Sequence, residues 1–272
     1  MTNDTRTLRR NVTEHYGALA RRAAVADNAA VADSDAIPLT MVGPAADACC
    51  DDSCCVPAAP GEQDLSHVQR LYNGGEAEGL PVTVLEAVAG CGNPGAIAEL
   101  RPGETVLDLG SGGGIDCFLA SKQVGASGTV IGVDMTPDMV SLARDNASKV
   151  GAGNVTFKLG EIEDLPLADA SVDVIISNCV INLSTDKAQV FREAFRVLRT
   201  GGRLRVSDMV WLAEKPAPVD GASWAACVDG ALELDEYLSL IRDAGFSDVR
   251  AEAAALEEGK TLASALVFGE KR

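Results

Sequence analysis

The chain has 272 residues, 47% of them apolar and 4% aromatic, and 23 Lys and Arg stand against 40 Asp and Glu for a formal net charge of −17. At roughly 150 residues per domain this is one large domain or one and a half, with enough apolar residues to fill a core. The acidic balance argues against nucleic acid or an anionic membrane as partner, and the low aromatic share argues against a base-stacking platform. No stretch approaches ~18 continuous apolar residues, so no membrane-spanning helix is expected. The opening MTNDTRTLRR has no apolar segment, so no secretory signal is expected. The expected location is cytoplasmic, with reduced thiols.

In chain order, residues 5–22 predict an amphipathic helix, because Leu8, Val12, Tyr16 and Leu19 recur at three- to four-residue spacing. Its other face carries Arg6, Arg9, Arg10, Arg21 and Arg22, but Asp4 and Glu14 interrupt that face, which disfavours a transit peptide. Residues 23–61 show no period, and Ala, Asp, Pro and Gly dominate them. Residues 1–61 are therefore expected as a helix followed by a flexible arm. That arm holds Cys49, Cys50, Cys54 and Cys55, four of the eight cysteines.

From residue 62 the pattern tightens. Apolar strands are expected at 104–109, 129–133, 155–159, 172–177 and 203–210. Helices are expected from Ile115 to about Val124, from Pro137 to about Val150, and over 186–198, the last ending at Gly201–Gly202. Such alternation implies a doubly wound α/β fold with a parallel sheet and helices on both faces, over 62–210. Residues 211–272 are expected as a smaller α+β region, with a helix near 235–244 and strands near 249–254 and 263–269.

Chemistry concentrates at three strand ends. In VLDLGSGGGIDC, the alternating Gly110, Gly112 and Gly114 follow a strand and open a helix, where doubly wound sheets bind ligands. Ile115 stands where a dinucleotide fingerprint has its third glycine, and Asp108 lies two residues before the first. A carboxylate so placed suits a ligand with a cationic group. Asp134 ends the second strand, where a carboxylate can accept both hydroxyls of a ribose. Glu161 and Ile162 follow the third strand and could flank an adenine. For each the plainer alternative is a tight turn or a solvated strand-end acid, and Asp138 and Asp145 read as solvated helix charges. These three motifs, in this order, resemble the S-adenosylmethionine-dependent methyltransferases of the Rossmann-like class.

Three scattered cysteines lie near this crevice: Cys117 after the glycine loop, Cys179 in SNCVINL and Cys227 in WAACVDGAL. A lone buried cysteine is usually a small hydrophobe, yet converging thiolates select thiophilic ions. Zinc would close a four-ligand site and leave nothing to methylate. Trivalent arsenic suits three thiolates and keeps a lone pair. Softness alone does not choose arsenic over another thiophile.

The segments CGNPGAIAELRPGETVLDLGSGGGIDCFLASKQVG, VIGVDMTPDMV, GEIEDLP, SNCVINL and CVDGAL resemble the arsenite methyltransferases over about residues 67–235. The resemblance implies a class I methyltransferase sheet and methyl transfer from S-adenosylmethionine to thiol-bound As(III), in arsenic detoxification. It implies Cys179 and Cys227 as As(III) ligands, with Cys117 and one N-terminal cysteine, Cys55 or Cys54, completing the thiol set and cycling through a disulfide. The doubled pairs in CCDDSCC depart from the family, which often has one cysteine there. Cofactor contacts are expected from Tyr72, Asp108, Gly110, Gly112, Gly114, Asp134, Met135, Glu161, Ile162 and Asn178. Tyr72 and Asn73 lie in a segment similar to the one closing over the methionine end. The implied partners are As(III)–glutathione conjugates, with thioredoxin or glutathione as reductant. Cys91 fits the family pattern but is expected to serve core packing, and His15 and His67 are expected to be structural. Two other readings stay open: a small-molecule C- or O-methyltransferase with structural cysteines, and a thiol-rich metal-binding or redox-sensing protein.

Overall fold

In the computed structural model, which describes residues 5–30, 66–72, 75–216, 227–254 and 260–272, helices α1 (Thr5–Ala30), α2 (Ser66–Leu71), α3 (Val82–Leu85) and α4 (Pro94–Ile97) precede the first strand. Then β1 (Thr105–Leu109), α5 (Ile115–Val124), β2 (Thr129–Asp134), α6 (Pro137–Val150), β3 (Val155–Leu159), β4 (Val172–Asn178), α7 (Lys187–Val197) and β5 (Leu198–Trp211) alternate as the hydrophobic pattern requires. The chain closes with α8 (Leu234–Asp243), β6 (Ser247–Ala253) and β7 (Leu262–Glu270). The seven strands form one sheet in the order β3-β2-β1-β4-β5-β7-β6. β1 to β5 run parallel, while β7 pairs antiparallel with both β5 and β6. The C-terminal region, expected as an α+β unit, thus supplies two strands of the same sheet.

Strand alternation sorts the core into two layers. Leu107, Leu109, Ile175, Leu204 and Val206 face one layer, with Phe191 of α7 and Tyr237 of α8. Val106, Val130, Val174 and Ile176 face the other, with Cys117 and Phe118 of α5 and Val140 of α6. Both faces are covered, so β1 and β4 read as near-continuous apolar runs. Phe191 is fully buried and meets the Tyr237 ring edge-on, with centroids 5.4 Å apart. Phe191→Ala is expected to lower unfolding free energy by about 3–5 kcal/mol in a denaturant titration, and a change under about 1 kcal/mol would contradict this packing.

Two boundaries differ from the sequence reading for physical reasons. α1 runs on to Ala30 because residues 23–30 are alanine-rich, and alanine is the best helix former. β5 starts at Leu198 and takes in Gly201 and Gly202, which exchange backbone hydrogen bonds with Lys271 at 2.7 and 2.9 Å. Long-range pairing there overrides the glycines' value as a helix stop. α1 packs on α3 and α6, and Arg21 pairs with Asp138 on α6. Among the described residues no helix is long and apolar enough to cross a membrane.

Candidate active site

The strand order reverses between β1 and β4, and ligands of open α/β sheets bind beyond the carboxyl ends at such a point. A cleft partly open to solvent lies there. Tyr72, Gly110, Gly112, Asp134, Met135, Ile162, Asn178 and Cys179 all line it. Gly110 has φ +69°, and a Cβ there would run into Val180, so only glycine lets the loop pass beneath that side chain. The roof is α1, whose Arg9, Val12 and Tyr16 line the cleft.

Asp134 leaves β2 with each carboxylate oxygen holding a loop. Oδ2 accepts the Gly112 N–H at 3.0 Å and Oδ1 accepts the Thr136 N–H at 2.8 Å. A carboxylate offers about four acceptor positions, so capacity remains for two hydroxyls. Burial raises its pKa, and the two backbone donors oppose that rise.

A second acid, Asp116 in the first turn of α5, lines the other side of the cleft; the sequence reading passed over it. Its oxygens receive the Tyr72 hydroxyl at 3.1 and 3.2 Å and the Asn178 amide at 3.2 Å, both neutral donors. Burial pushes its pKa up to about 6, with the Asn178 and Tyr72 hydrogen bonds pulling the other way. A buried carboxylate held only by neutral donors is a seat for a cation.

The same Asn178 reaches the segment before α4. Its Oδ1 accepts the Cys91 and Gly92 N–H groups at 3.0 and 3.2 Å, and its Nδ2 donates to the Gly92 carbonyl at 2.7 Å. Gly92 is pressed so close to Ser207 that no Cβ would fit. This clamp holds Cys91 beside Cys179, the two joined as a disulfide with Cα atoms 5.8 Å apart. The thiols of this pair are therefore not reduced as expected, and Cys91 does more than pack. The Cys227 thiol donates to the Cys179 carbonyl at 2.9 Å. An Asp208 oxygen lies within 4.8 Å of both Cys91 and Cys179 sulfurs. Met209, Ala231, Leu183, Trp211 and Leu262 wrap the sulfurs in apolar surface. Cys179 and Cys227 both adopt left-handed backbone, φ +58° and +64°, a strained choice for residues with a Cβ that clusters at functional positions.

Four expected contacts lie elsewhere. Alternation along β1 turns Asp108 toward α5, where it is buried and takes the Cys117 thiol hydrogen bond at 3.2 Å. Cys117 is fully buried in that second layer among apolar neighbours, and the structure does not bring it to Cys179 and Cys227. Burial, then the Asp108 charge, raises its pKa, which favours the unreactive thiol. Gly114 caps α5 beneath the cleft and does not line it. Glu161 faces outward and pairs with Arg9 at 2.9 Å, while Ile162 lines the cleft. Cys49, Cys50, Cys54, Cys55 and Asn73 lie outside the described residues.

Residues 100–245, more than half of the chain, match a family model described as a methyltransferase domain, and the chain is a methyltransferase-fold protein on that ground. Residues of the chain are 56% identical over 162 positions to the arsenite methyltransferase of Halobacterium salinarum, covering 59% of this chain and 41% of that one. They are 43% identical over 162 positions to that of Homo sapiens, covering 56% and 43%. The crystal structure of CrArsM, an arsenic (III) S-adenosylmethionine methyltransferase from Chlamydomonas reinhardtii, superposes with a TM-score of 0.64 at 38% identity over 72% of each chain. The chain belongs to the arsenite methyltransferase family. It spans under half the length of the curated relatives named here.

Proposed function

We propose that this chain transfers methyl groups from S-adenosylmethionine to trivalent arsenic held on protein thiols, an arsenic-detoxifying activity in the cytoplasm. One observation carries the reading: Cys179 lines the cleft, is joined to Cys91, and receives the Cys227 thiol hydrogen bond on its carbonyl. The third sulfur in this reading is Cys91, in place of Cys117.

The cleft fits S-adenosylmethionine, which supplies an electrophilic methyl carbon when bound. Asp134 would take the ribose hydroxyls, Asp116 with Tyr72 and Asn178 the cationic amino-acid end, and Ile162 and Met135 the adenine side. With Cys91 and Cys179 reduced, two thiols exchange onto an As(III)–glutathione conjugate; two As–S bonds to the protein form and two glutathione thiols leave with the protons. The apolar wall around the sulfurs excludes water from the metalloid. The arsenic lone pair forms the As–C bond as the donor's S–C bond breaks, and that electron pair stays on the donor sulfur. No base is required, so alignment supplies most of the rate. The product arsenic is formally pentavalent. Two thiolates return two electrons to it by closing a disulfide, and the Cys91–Cys179 pair is placed for that. Glutathione or thioredoxin would then reopen the bond.

The test is speciation: purified protein, arsenite, glutathione and S-adenosylmethionine should yield methylated arsenicals with stoichiometric S-adenosylhomocysteine. Cofactor turnover unaffected by arsenite would contradict the reading. The charge on Asp116 makes a further expectation. It is ionised above about pH 6 and neutral below, so affinity for a cationic amino-acid end should fall as pH drops through that value, about tenfold between about pH 7 and about pH 5. Calorimetric titration with S-adenosylmethionine across that range measures it, and a flat profile would remove Asp116 from the contact.

A further inference from the structure

The Asn178 carboxamide touches both halves of the site at once. Its Nδ2 has two protons but three acceptors in reach: the Gly92 carbonyl at 2.7 Å, Asp116 Oδ2 at 3.2 Å and the Tyr72 oxygen at 3.2 Å. Its Oδ1 is committed to the Cys91 and Gly92 amides. The first acceptor belongs to the segment that presents Cys91. The other two belong to the cleft.

From this we infer that Asn178 is a positioning residue that couples cofactor occupancy to the Cys91–Cys179 pair, an inference resting on the cofactor reading above. A cationic ligand group at Asp116 takes over that carboxylate. The Nδ2 protons are then shared between two acceptors, and the hydrogen bond to Gly92 strengthens. The clamp that keeps Cys91 against Cys179 tightens accordingly, so occupancy favours the disulfide. Linkage makes the effect reciprocal: the disulfide form binds the adenosyl ligand more tightly than the dithiol form. Functionally, reduction of the pair would then loosen the spent nucleoside and open the arsenic site in one event. The reduction balances: an external dithiol gives two electrons and two protons to the S–S bond and becomes a disulfide itself, leaving two cysteine thiols.

The experiment titrates S-adenosylhomocysteine into the 272-residue chain by calorimetry, once with Cys91–Cys179 closed and once after dithiol reduction, each state verified by peptide mass mapping. The wild type should bind at least about fivefold more tightly in the closed form. In Asn178→Ala, and in Asn178→Asp, which keeps the shape but lacks the N–H donors, the ratio should fall to one. Ser264→Ala serves as the comparison, because its hydroxyl donates to the Cys91 carbonyl at 3.0 Å and does not line the cleft. It loosens the same segment without touching the cofactor side, so its ratio should stay at the wild-type value. Equal affinities in the wild type, a tighter dithiol form, a ratio that survives in the Asn178 variants, or a ratio lost equally in Ser264→Ala would each overturn the coupling. Absence of binding to either form would instead overturn the cofactor reading and the coupling with it.

Discussion

Cys179→Ser is expected to cut arsenite-dependent methyl transfer by at least ~1000-fold while S-adenosylhomocysteine affinity stays within about twofold of that of the dithiol-reduced wild type. Among the described residues, Cys179 is the cysteine shared by both parts of the site. It lines the cleft, it pairs with Cys91, and its carbonyl receives the Cys227 thiol. A serine oxygen is a hard donor and does not hold a soft metalloid against glutathione. Losing that anchor returns the reaction to one between freely diffusing partners, and well-placed intramolecular reactions gain ~10⁵ M or more in effective concentration. Serine also tolerates the local backbone, so the cleft should persist. Steady-state methylarsenical formation and calorimetry on the same preparation measure the two numbers. A variant that retained a tenth of the wild-type rate would remove Cys179 from the chemistry.

Asp134→Ala is expected to weaken S-adenosylhomocysteine binding by about 150-fold. Two hydrogen bonds to a charged acceptor contribute about 1.5 kcal/mol each at the low end, together about 3 kcal/mol. The carboxylate also orders its own surroundings through the Gly112 and Thr136 amides, so the loss should reach at least this size. Asp134→Asn keeps one accepting oxygen but turns N–H donors toward one of those amides, and an intermediate loss is expected. Thermal unfolding of both variants should stay within a few degrees of the wild type if the loss is one of binding. Wild-type affinity in Asp134→Ala would move the ribose elsewhere.

Much of the scaffold is legible in the chain because it is local. β1, β2 and β3 end where the apolar runs end, and Gly110, Gly112 and Asp134 are placed by their distance from those ends. The site is less so. Asp108 looked like a ligand contact because it precedes the glycines. The period-two rule, applied one step further, sends Val106 and Asp108 to the face away from Leu107 and Leu109, against α5 and Cys117. That signal was available. Asp116 was also within reach, as a polar residue in the first turn of a helix opened by the glycine loop. Cys91 was not. Its partner lies 88 residues further on, and what joins them is the Asn178 carboxamide folding back on the Cys91–Gly92 backbone, a contact with no local pattern. The covering of the cleft by α1 is similar: the apolar stripe of Val12 and Tyr16 announces a buried face, but only the tertiary structure shows that it roofs the cleft.

The assembly of sulfurs is tested most directly by locating the arsenic. Crystals of the dithiol-reduced protein soaked with arsenite, with anomalous scattering collected at the arsenic absorption edge, would show the metalloid as its own peak. The account predicts a peak bonded to Cys179 and Cys227 with Cys91 beside them, next to the end of β4. A peak on Cys117, or arsenic found only away from Cys179, would contradict it.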